Sequence, residues 1–137
     1  MKILIIVFLV LTSMNITFCQ KSKFLDCSYL KKSLEMEIFE KHFFMGRFKN
    51  ETIIVVDTFK VFQDCNFKEI NNRNFKVEQV LSDNIKSKKI ITLDRIEKNR
   101  NKNILHFLFP SEKCTIIIEV WKQKRKVKTK LLRYGVF

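Results

Sequence analysis

The chain has very few of the small residues that build turns and phosphate-binding loops. It contains two glycines and one proline in 137 residues, and it has no alanine. A glycine-rich phosphate loop or a nucleophile elbow needs clustered glycines, so both motifs are excluded. The only histidines are His42 and His106, and no two histidines or cysteines are spaced as a metal-ligand pair. The sequence therefore predicts no cofactor and no metal.

The two histidines leave one catalytic alternative open. One could accept a proton and the other donate one, as RNA cleavage by a basic secreted protein would require. However, His106 lies between Leu105 and Phe107 in a predicted buried strand, and the disulfide framework usual in secreted ribonucleases is missing. We therefore expect both histidines to be structural.

The N-terminus has the layout of a secretory signal peptide. Lys2 precedes an apolar run from Ile3 to Leu11 that is too short to span a bilayer. We expect residues 1–19 to be removed, so that Gln20 begins a mature protein consisting of one domain, residues 20–137. No later stretch is long and apolar enough to cross a membrane. The expected product is secreted and extracellular.

Basic residues greatly outnumber acidic ones. The full chain has 27 lysines and arginines against 14 acidic residues, and loss of Lys2 leaves 26 minus 14, a formal charge of +12. Such a charge favours polyanionic partners, namely sulfated glycans, anionic lipid head groups or nucleic acid. The abundance of Ile, Lys, Asn and Phe is also what AT-rich coding produces, so charge alone does not identify the partner.

Processing would leave three cysteines, Cys27, Cys65 and Cys114. Export favours a disulfide, but the residue pattern does not determine which pair forms it. We expect the remaining thiol to be buried, because cysteine packs well as a small hydrophobe. Asn50-Glu51-Thr52 is an acceptor sequon for N-glycosylation, which predicts that Asn50 lies on the surface.

The first half of the chain predicts helices. Apolar residues follow a helical period from Ser28 to Met45, with Leu30 and Leu34 on one face and Phe39 and Phe43 on the other. A long helix covered on both faces fits this pattern. The ambiguous stretch ETIIVVDTFKVFQDC is expected to end as a strand, and a polar loop from Asn66 to Asn74 follows. Asn74 should then cap a short helix that contains Val77, Val80 and Leu81 and ends near Asn84.

The second half predicts only strands, KKIITLDRI, NILHFLFP, CTIIIEVW and VKTKLLRYGVF, joined by short polar connections that suit antiparallel hairpins. The resulting fold class is α+β, with a long N-terminal helix and one or two short helices packed on a curved antiparallel sheet of four to five strands. The fourteen phenylalanines are expected to fill the core, although they could also line a cavity for an apolar ligand.

The segment VWKQKRKVKTKLLRY, residues 120–134, carries the densest positive charge. One strand through this segment would be too long, so we expect a turn near Gln123 to Lys126. Lys128 and Lys130 should then lie on the exposed face, with no aromatic residue among the lysines on that face and Trp121 pointing toward the core. Spaced cations could bind a sulfated glycan or another polyanion. The candidate binding residues are Lys122, Lys124, Arg125, Lys126, Lys128 and Lys130.

A second interpretation of the same lysines needs no ligand. Charged side chains on an outer or edge strand prevent edge-to-edge aggregation. The absence of an interleaved aromatic residue also disfavours a stacking platform for single-stranded nucleic acid, so no specific nucleic-acid partner is expected.

The order of elements resembles that of small secreted invertebrate proteins with a nuclear transport factor 2-like domain. The resemblance is carried by FKVFQDC (59–65), by VEQVL (77–81) and by the strands that follow, and it covers most of the mature chain. It implies a cone-shaped fold, a second short helix from Asn50 to Asp57, and a disulfide from Cys65 to Cys27 or Cys114. The secreted branch of this family generally has no assigned activity.

The main hypothesis is therefore a secreted, non-enzymatic binding protein. A small hydrolase or isomerase of the same fold is the first alternative, and the resemblance offers Tyr29 with Asp57 or Asp94 as imaginable catalytic residues. A cystatin-like protease inhibitor is the second alternative. It lacks the expected Gln-x-Val-x-Gly loop, which Gln79-Val80-Leu81 does not supply.

Overall fold

Two short helices lie on a curled, seven-stranded mixed sheet in the computed structural model. It describes residues 24–45, 50–65, 67, 69–79 and 90–137. The predicted signal peptide, residues 1–19, lies outside the described residues, as do Val80, Leu81 and Asn84 of the predicted short helix. No helix within the described ranges is long and apolar enough to cross a membrane.

The long helix predicted from Ser28 to Met45 is wrong. The chain forms α1, Cys27–Leu34, and then α2, Glu37–Phe39, which continues directly into a π-helical turn, Glu40–Phe44. Between them Met36 has an extended backbone, with φ −65° and ψ 138°. No glycine or proline marks this break in the sequence.

The break at Met36 allows both apolar faces of the segment to reach the core. In one continuous helix Phe39 and Phe43 would project away from Leu30 and Leu34, because the two pairs lie on opposite sides of the helical wheel. Because the backbone changes direction at Met36, all four side chains are buried and at most 4% exposed. Burial of two large aromatic rings outweighs the helical hydrogen bonds lost at the break.

The strands are β1 Thr52–Val56, β2 Glu69–Ile70, β3 Arg73–Glu78, β4 Ile90–Asn99, β5 Lys102–Phe109, β6 Cys114–Gln123 and β7 Lys126–Val136. They form one sheet in the order β2-β3-β1-β4-β5-β6-β7. The antiparallel run from β4 to β7 confirms the four strands predicted for the second half of the chain.

The first half of the sheet differs from the prediction. β1 pairs in parallel with both β3 and β4, so the sheet is mixed and has more strands than the four to five expected. A parallel strand between two neighbours is buried on both faces, which explains the unbroken apolar run from Ile53 to Val56. The helix implied for Asn50 to Asp57 and the helix start expected at Asn74 are therefore wrong: both positions belong to strand regions rich in β-branched or aromatic residues.

The core lies between the helices and one face of the sheet, which we call the inner face. Phe43 stacks on Phe109 with ring centroids 4.0 Å apart, and Phe39 meets Phe107 edge to face at 5.6 Å. Alternate residues of the central strands complete this layer: Leu105, Phe107 and Phe109 from β5, and Ile116, Ile118 and Val120 from β6. The phenylalanines named here pack against one another, as the core-filling interpretation expects.

Candidate polyanion-binding site

The lysine-rich segment folds back on itself as predicted. β6 and β7 are joined by a two-residue turn, with Gln123 paired to Lys126. Lys124 and Arg125 at its centre both have positive φ, 46° and 64°, which is the conformation of a type I′ hairpin turn. Neither residue favours this conformation, so the hairpin is held by the ten paired positions of β6 and β7 and not by the turn itself.

The register of this hairpin corrects the predicted arrangement of its lysines. Trp121 lies opposite Lys128, so these two side chains share the outer face of the sheet, with Lys126 and Lys130 on either side. The prediction that Trp121 points toward the core, and that no aromatic residue lies among the lysines, is therefore wrong. The two-residue turn causes the change, because it aligns odd-numbered residues of β6 with even-numbered residues of β7.

Lys122 does not belong to the lysine row on the outer face. It lies opposite Val127, on the inner face, and its ammonium group pairs with the carboxylate of Asp26. The hydrogen bond and the charge of Asp26 raise the pKa of Lys122, and the same contact helps to lower the pKa of Asp26 to about 2. Lys122 thus joins the hairpin to the N-cap of α1 and is not available as a ligand-binding cation.

The other five candidate cations are exposed and have no acidic partner among the described residues; they are Lys124, Arg125, Lys126, Lys128 and Lys130. We call these residues the basic hairpin. Successive outward side chains of a strand are about 6.6 Å apart, so Lys126, Lys128 and Lys130 form a row of regularly spaced charges. Glu119 lies opposite Lys130 on this face, but its carboxylate pairs with Lys102. Most of the positive charge of the row is therefore left for an external anion to neutralise.

A cleft of about 540 Å³ extends the basic hairpin toward α1. Lys31 and Lys32 of α1 and its C-cap residue Glu35 line one side, and Lys126, Val127 and Lys128 of β7 line the other. Lys32 pairs with Glu35 at 2.6 Å, whereas no acidic partner is found for Lys31 in the described residues. Ser28 also lines the cleft, and its buried hydroxyl oxygen makes no hydrogen bond there. We call this feature the basic cleft.

Sequence reasoning missed Lys31 and Lys32 as candidate site residues. They are far from the hairpin along the chain, and they read as the solvent face of a helix. Only the docking of α1 against β6 and β7 brings them beside Lys126 and Lys128. The signal that could have been used is the Lys31-Lys32 pair on a predicted amphipathic helix, which is weak by itself.

On the outer face Trp121 also contacts a lysine from β5. Lys102 Nζ lies 4.6 Å from the centre of the Trp121 ring and 2.8 Å from Glu119 Oε2. A cation over an aromatic ring and beside a carboxylate is held in place by both. Lys102 is therefore largely neutralised, whereas Lys128 and Lys130 of β7, on the far side of β6, are not.

No hydrogen bond within the described residues joins Tyr29 to Asp57 or to Asp94. His106 is on the outer face, with Nε2 3.0 Å from Glu97 Oε1, whereas Tyr29 packs against the core on the inner side. Asp94 is exposed at a bulge in β4. Asp57 is fully buried, and its Oδ2 accepts a hydrogen bond of 2.7 Å from the backbone N–H of Phe62. His42 contacts the ring of Tyr134 on the inner side, so the sheet separates the two histidines.

Cys27 and Cys65 form a disulfide, and Cys114 is a buried free thiol. The expectation of one buried unpaired cysteine is confirmed, and burial raises the pKa of the Cys114 thiol. Asn50 is exposed directly before β1. No cluster of His, Cys, Asp or Glu side chains within the described ranges could hold a metal ion.

A second cleft, of about 290 Å³, lies beside the C-terminal half of β7. Its lining includes Met36, Ile38, His42 and Leu131. Both clefts described here are open surface features, and neither lies among the core phenylalanines. They support binding at the edge of the sheet more directly than binding inside it.

These features define a basic α+β protein with a curled mixed sheet, one disulfide, and an unneutralised row of cations on its terminal hairpin. No protein-family model, no curated protein and no solved structure matches this chain.

Proposed function

We propose that this protein is a secreted, non-enzymatic binding protein whose ligand is a sulfated polysaccharide. The observation that carries the proposal is the basic hairpin, whose cations lack acidic partners among the described residues. An extended polyanion lying along Lys126, Lys128 and Lys130 would neutralise this row and release its own counterions. Lys31 lies across the basic cleft from Lys126, so it adds a contact for a second segment of the polysaccharide.

Two exposed lysines outside the hairpin and the cleft are a poorer ligand surface. Lys41 pairs with Glu37 and Lys76 pairs with Glu78, at 2.6 and 2.9 Å. An anion at these positions would have to compete with an intramolecular carboxylate. Lys60, Lys98 and Lys113 are also exposed, but the basic hairpin brings five cations without an acidic partner together within seven residues of the described chain. This clustering argues against a purely nonspecific effect of the formal charge of +12.

The proposal is tested by salt elution from immobilised heparin. Replacing Lys126, Lys128 and Lys130 with Gln should lower the eluting salt concentration sharply and reduce the slope of log K against log salt by roughly 2 to 3. The matched control replaces Lys41, Lys76 and Lys98 with Gln, which removes the same charge from other exposed positions and should change elution little. Equal loss in both variants would mean that only net charge matters, and the proposed site would be wrong.

Two further probes separate sulfated glycans from other polyanions. Hyaluronan carries carboxylates without sulfates, and a single-stranded oligonucleotide carries phosphates with bases that could stack on Trp121. The proposal expects heparin to bind more tightly than either at the same salt concentration. Tighter binding of the oligonucleotide, weakened when Trp121 is replaced by Leu, would instead identify a nucleic-acid site.

Secretion is part of the proposal and is supported by the signal-like sequence of residues 1–19 and by the Cys27–Cys65 disulfide. The mass of the protein exported from a eukaryotic secretory host tests it. We expect a mature chain that begins at Gln20, retains one disulfide and one free thiol, and carries a glycan on Asn50. Retention of the full-length chain inside the cells would contradict the proposal.

We propose that the fold is that of the nuclear transport factor 2-like group, and we draw no function from this membership. A curled sheet closed by N-terminal helices supports it. The parallel pairing of β1 and the break at Met36 differ from the arrangement that the resemblance implies. A solved structure of this protein that superposed on such domains only through β4 to β7 would refute it.

A further inference from the structure

We propose that the free edge of β7 accepts an extended segment of another protein as an eighth strand, and that this segment alternates acidic and apolar residues. This inference goes beyond polysaccharide binding, because it concerns the backbone of β7 and the pattern of both its faces. The partner is identified by its chemistry, which is complementary to β7 at every second residue.

β7 is the last strand of the sheet and pairs only with β6 among the described residues. It is 11 residues long, Lys126–Val136, and it contains no proline. An edge strand presents alternate N–H and C=O groups that can pair with an added strand. The strand at the opposite edge of the sheet, β2, is only two residues long, so it offers far less backbone.

The two faces of β7 differ in chemistry. By the hairpin register, the outward side chains are Lys126, Lys128, Lys130 and Arg133, and the inward side chains are Val127, Thr129, Leu131, Tyr134 and Val136. A bulge at Leu132 keeps this alternation in phase with β6. Basic and apolar residues therefore alternate along the free edge.

Charge complementarity selects the occupant. On the outer face, an acidic side chain on the added strand would lie opposite or diagonal to each exposed cation, and opposite charges across a strand pair are stabilising. A second copy of β7 would instead bring its own cations to that face. Like charges across the pair disfavour self-association, so the edge suits an acidic partner and not another copy of this chain.

On the inner face, exposed apolar surface continues beyond the edge of the sheet. Leu131, Tyr134 and Val136 are 37%, 41% and 71% exposed. The 290 Å³ cleft beside Leu131, lined also by Met36 and Ile38, can receive one apolar side chain of an added strand. Burial of this surface would add hydrophobic stabilisation to the backbone hydrogen bonds.

The hairpin geometry identifies which backbone groups are available. In a two-residue hairpin the residues that flank the turn, Gln123 and Lys126, form a hydrogen-bonded pair. Backbone N–H groups along β7 then alternate in direction. Those of Lys128 and Lys130 point toward β6, whereas those of Val127, Thr129 and Leu131 point toward the free edge. Proline at Thr129 would remove an edge-facing donor without removing a hydrogen bond to β6.

The test measures binding of a fluorescent, end-capped nine-residue peptide of alternating Glu and Val by anisotropy. Thr129→Pro should weaken binding roughly tenfold, whereas Thr129→Val, which keeps the N–H, should leave binding unchanged. A peptide of the same composition with all Glu residues followed by all Val residues should bind more weakly than the alternating one. Equal binding of the two peptides, or no effect of Thr129→Pro, would overturn the inference.

Two measurements keep the result interpretable. Thr129→Pro retains every lysine of the basic hairpin, so its elution from heparin should be unchanged. Heparin elution therefore tests polysaccharide binding separately from strand addition. If Thr129→Pro strongly lowers the midpoint of thermal unfolding, the peptide is modified and the protein is left unchanged. N-methylation of alternate valines in the peptide removes hydrogen bonds to β7 from the partner side. Unchanged affinity of the N-methylated peptide would overturn the inference.

Discussion

At the residue scale, Asp26 connects the first helix to the terminal hairpin through its two carboxylate oxygens. Oδ1 accepts a hydrogen bond of 2.9 Å from the backbone N–H of Ser28 and caps α1, while Oδ2 accepts from the ammonium group of Lys122. Both contacts favour the ionised carboxylate and lower the pKa of Asp26 from 3.8 to about 2. Because the folded-state pKa lies below the unfolded value, the stabilisation is present above about pH 4 and is lost as pH falls toward 2.

Substitution of Asp26 separates the cap from the charge. Asp26→Ala should lower the free energy of unfolding by about 1 kcal/mol at neutral pH, because it removes the N-cap. Asp26→Asn retains a side chain that can cap the helix, so it should lower the free energy of unfolding by less. The ion pair with Lys122 that it removes is about half exposed and contributes little. Urea unfolding from pH 2 to pH 7 measures both effects. Asp26→Asn should show a smaller loss of stability between pH 4 and pH 2 than the parent, and an identical pH profile would contradict this account.

At the element scale, the break between α1 and α2 fixes where the helical segment contacts the sheet. α1 docks against β6 and β7. The π-helical turn reaches β3, near the opposite edge of the sheet. There Glu40 holds Arg73 of β3 through two hydrogen bonds, and Arg73 also lies over the ring of Phe44. Arg73 is only 3% exposed, so its charge requires this carboxylate. The helical segment thus spans the concave side by contacts at both of its ends.

The strands of the second half could be predicted because their signals are local. The apolar, β-branched runs NILHFLFP and CTIIIEVW, bounded by short polar connections, are enough to identify β5 and β6 as strands. Their inner and outer faces follow only from the alternating burial in the structure. The break at Met36 could not be predicted, since it arises from the joint burial of side chains on two faces and not from a helix-breaking residue. The parallel pairing of β1 could likewise not be predicted, because its partner strands are distant in the sequence.

The site was predictable only in part, for a related reason. The cations of the basic hairpin and its turn could be found from spacing, but the pairing register decides which cations share a face. Lys122 could not be separated from its neighbours without knowing that Asp26 lies beside it. Lys31 enters the site only through the packing of α1 on the hairpin.

At the scale of the whole molecule, the Cys27–Cys65 disulfide joins the first helix to the segment that follows β1. The two cysteines are 38 residues apart, so the bond closes a loop that includes both helical pieces and β1. The backbone N–H of Leu25 also donates to Val61 O at 2.8 Å, which ties the same two segments beside the disulfide. The covalent tie reduces the conformational entropy that the unfolded chain has in this loop, which stabilises the folded state.

Removing this disulfide should therefore be costly, by about as much as the loss of a large core side chain. For a loop of 38 residues, the chain-entropy relation gives about 4 kcal/mol of lost stability in the Cys27→Ser, Cys65→Ser double variant. Urea unfolding of the oxidised parent, the reduced parent and the double variant measures it, and the last two should agree. Cys114→Ala is the matched control: it leaves the disulfide intact and should cost roughly 1 kcal/mol, the loss expected for a small void in the core. A double variant as stable as the oxidised parent would show that the strand pairings, and not the covalent loop, hold the two halves together.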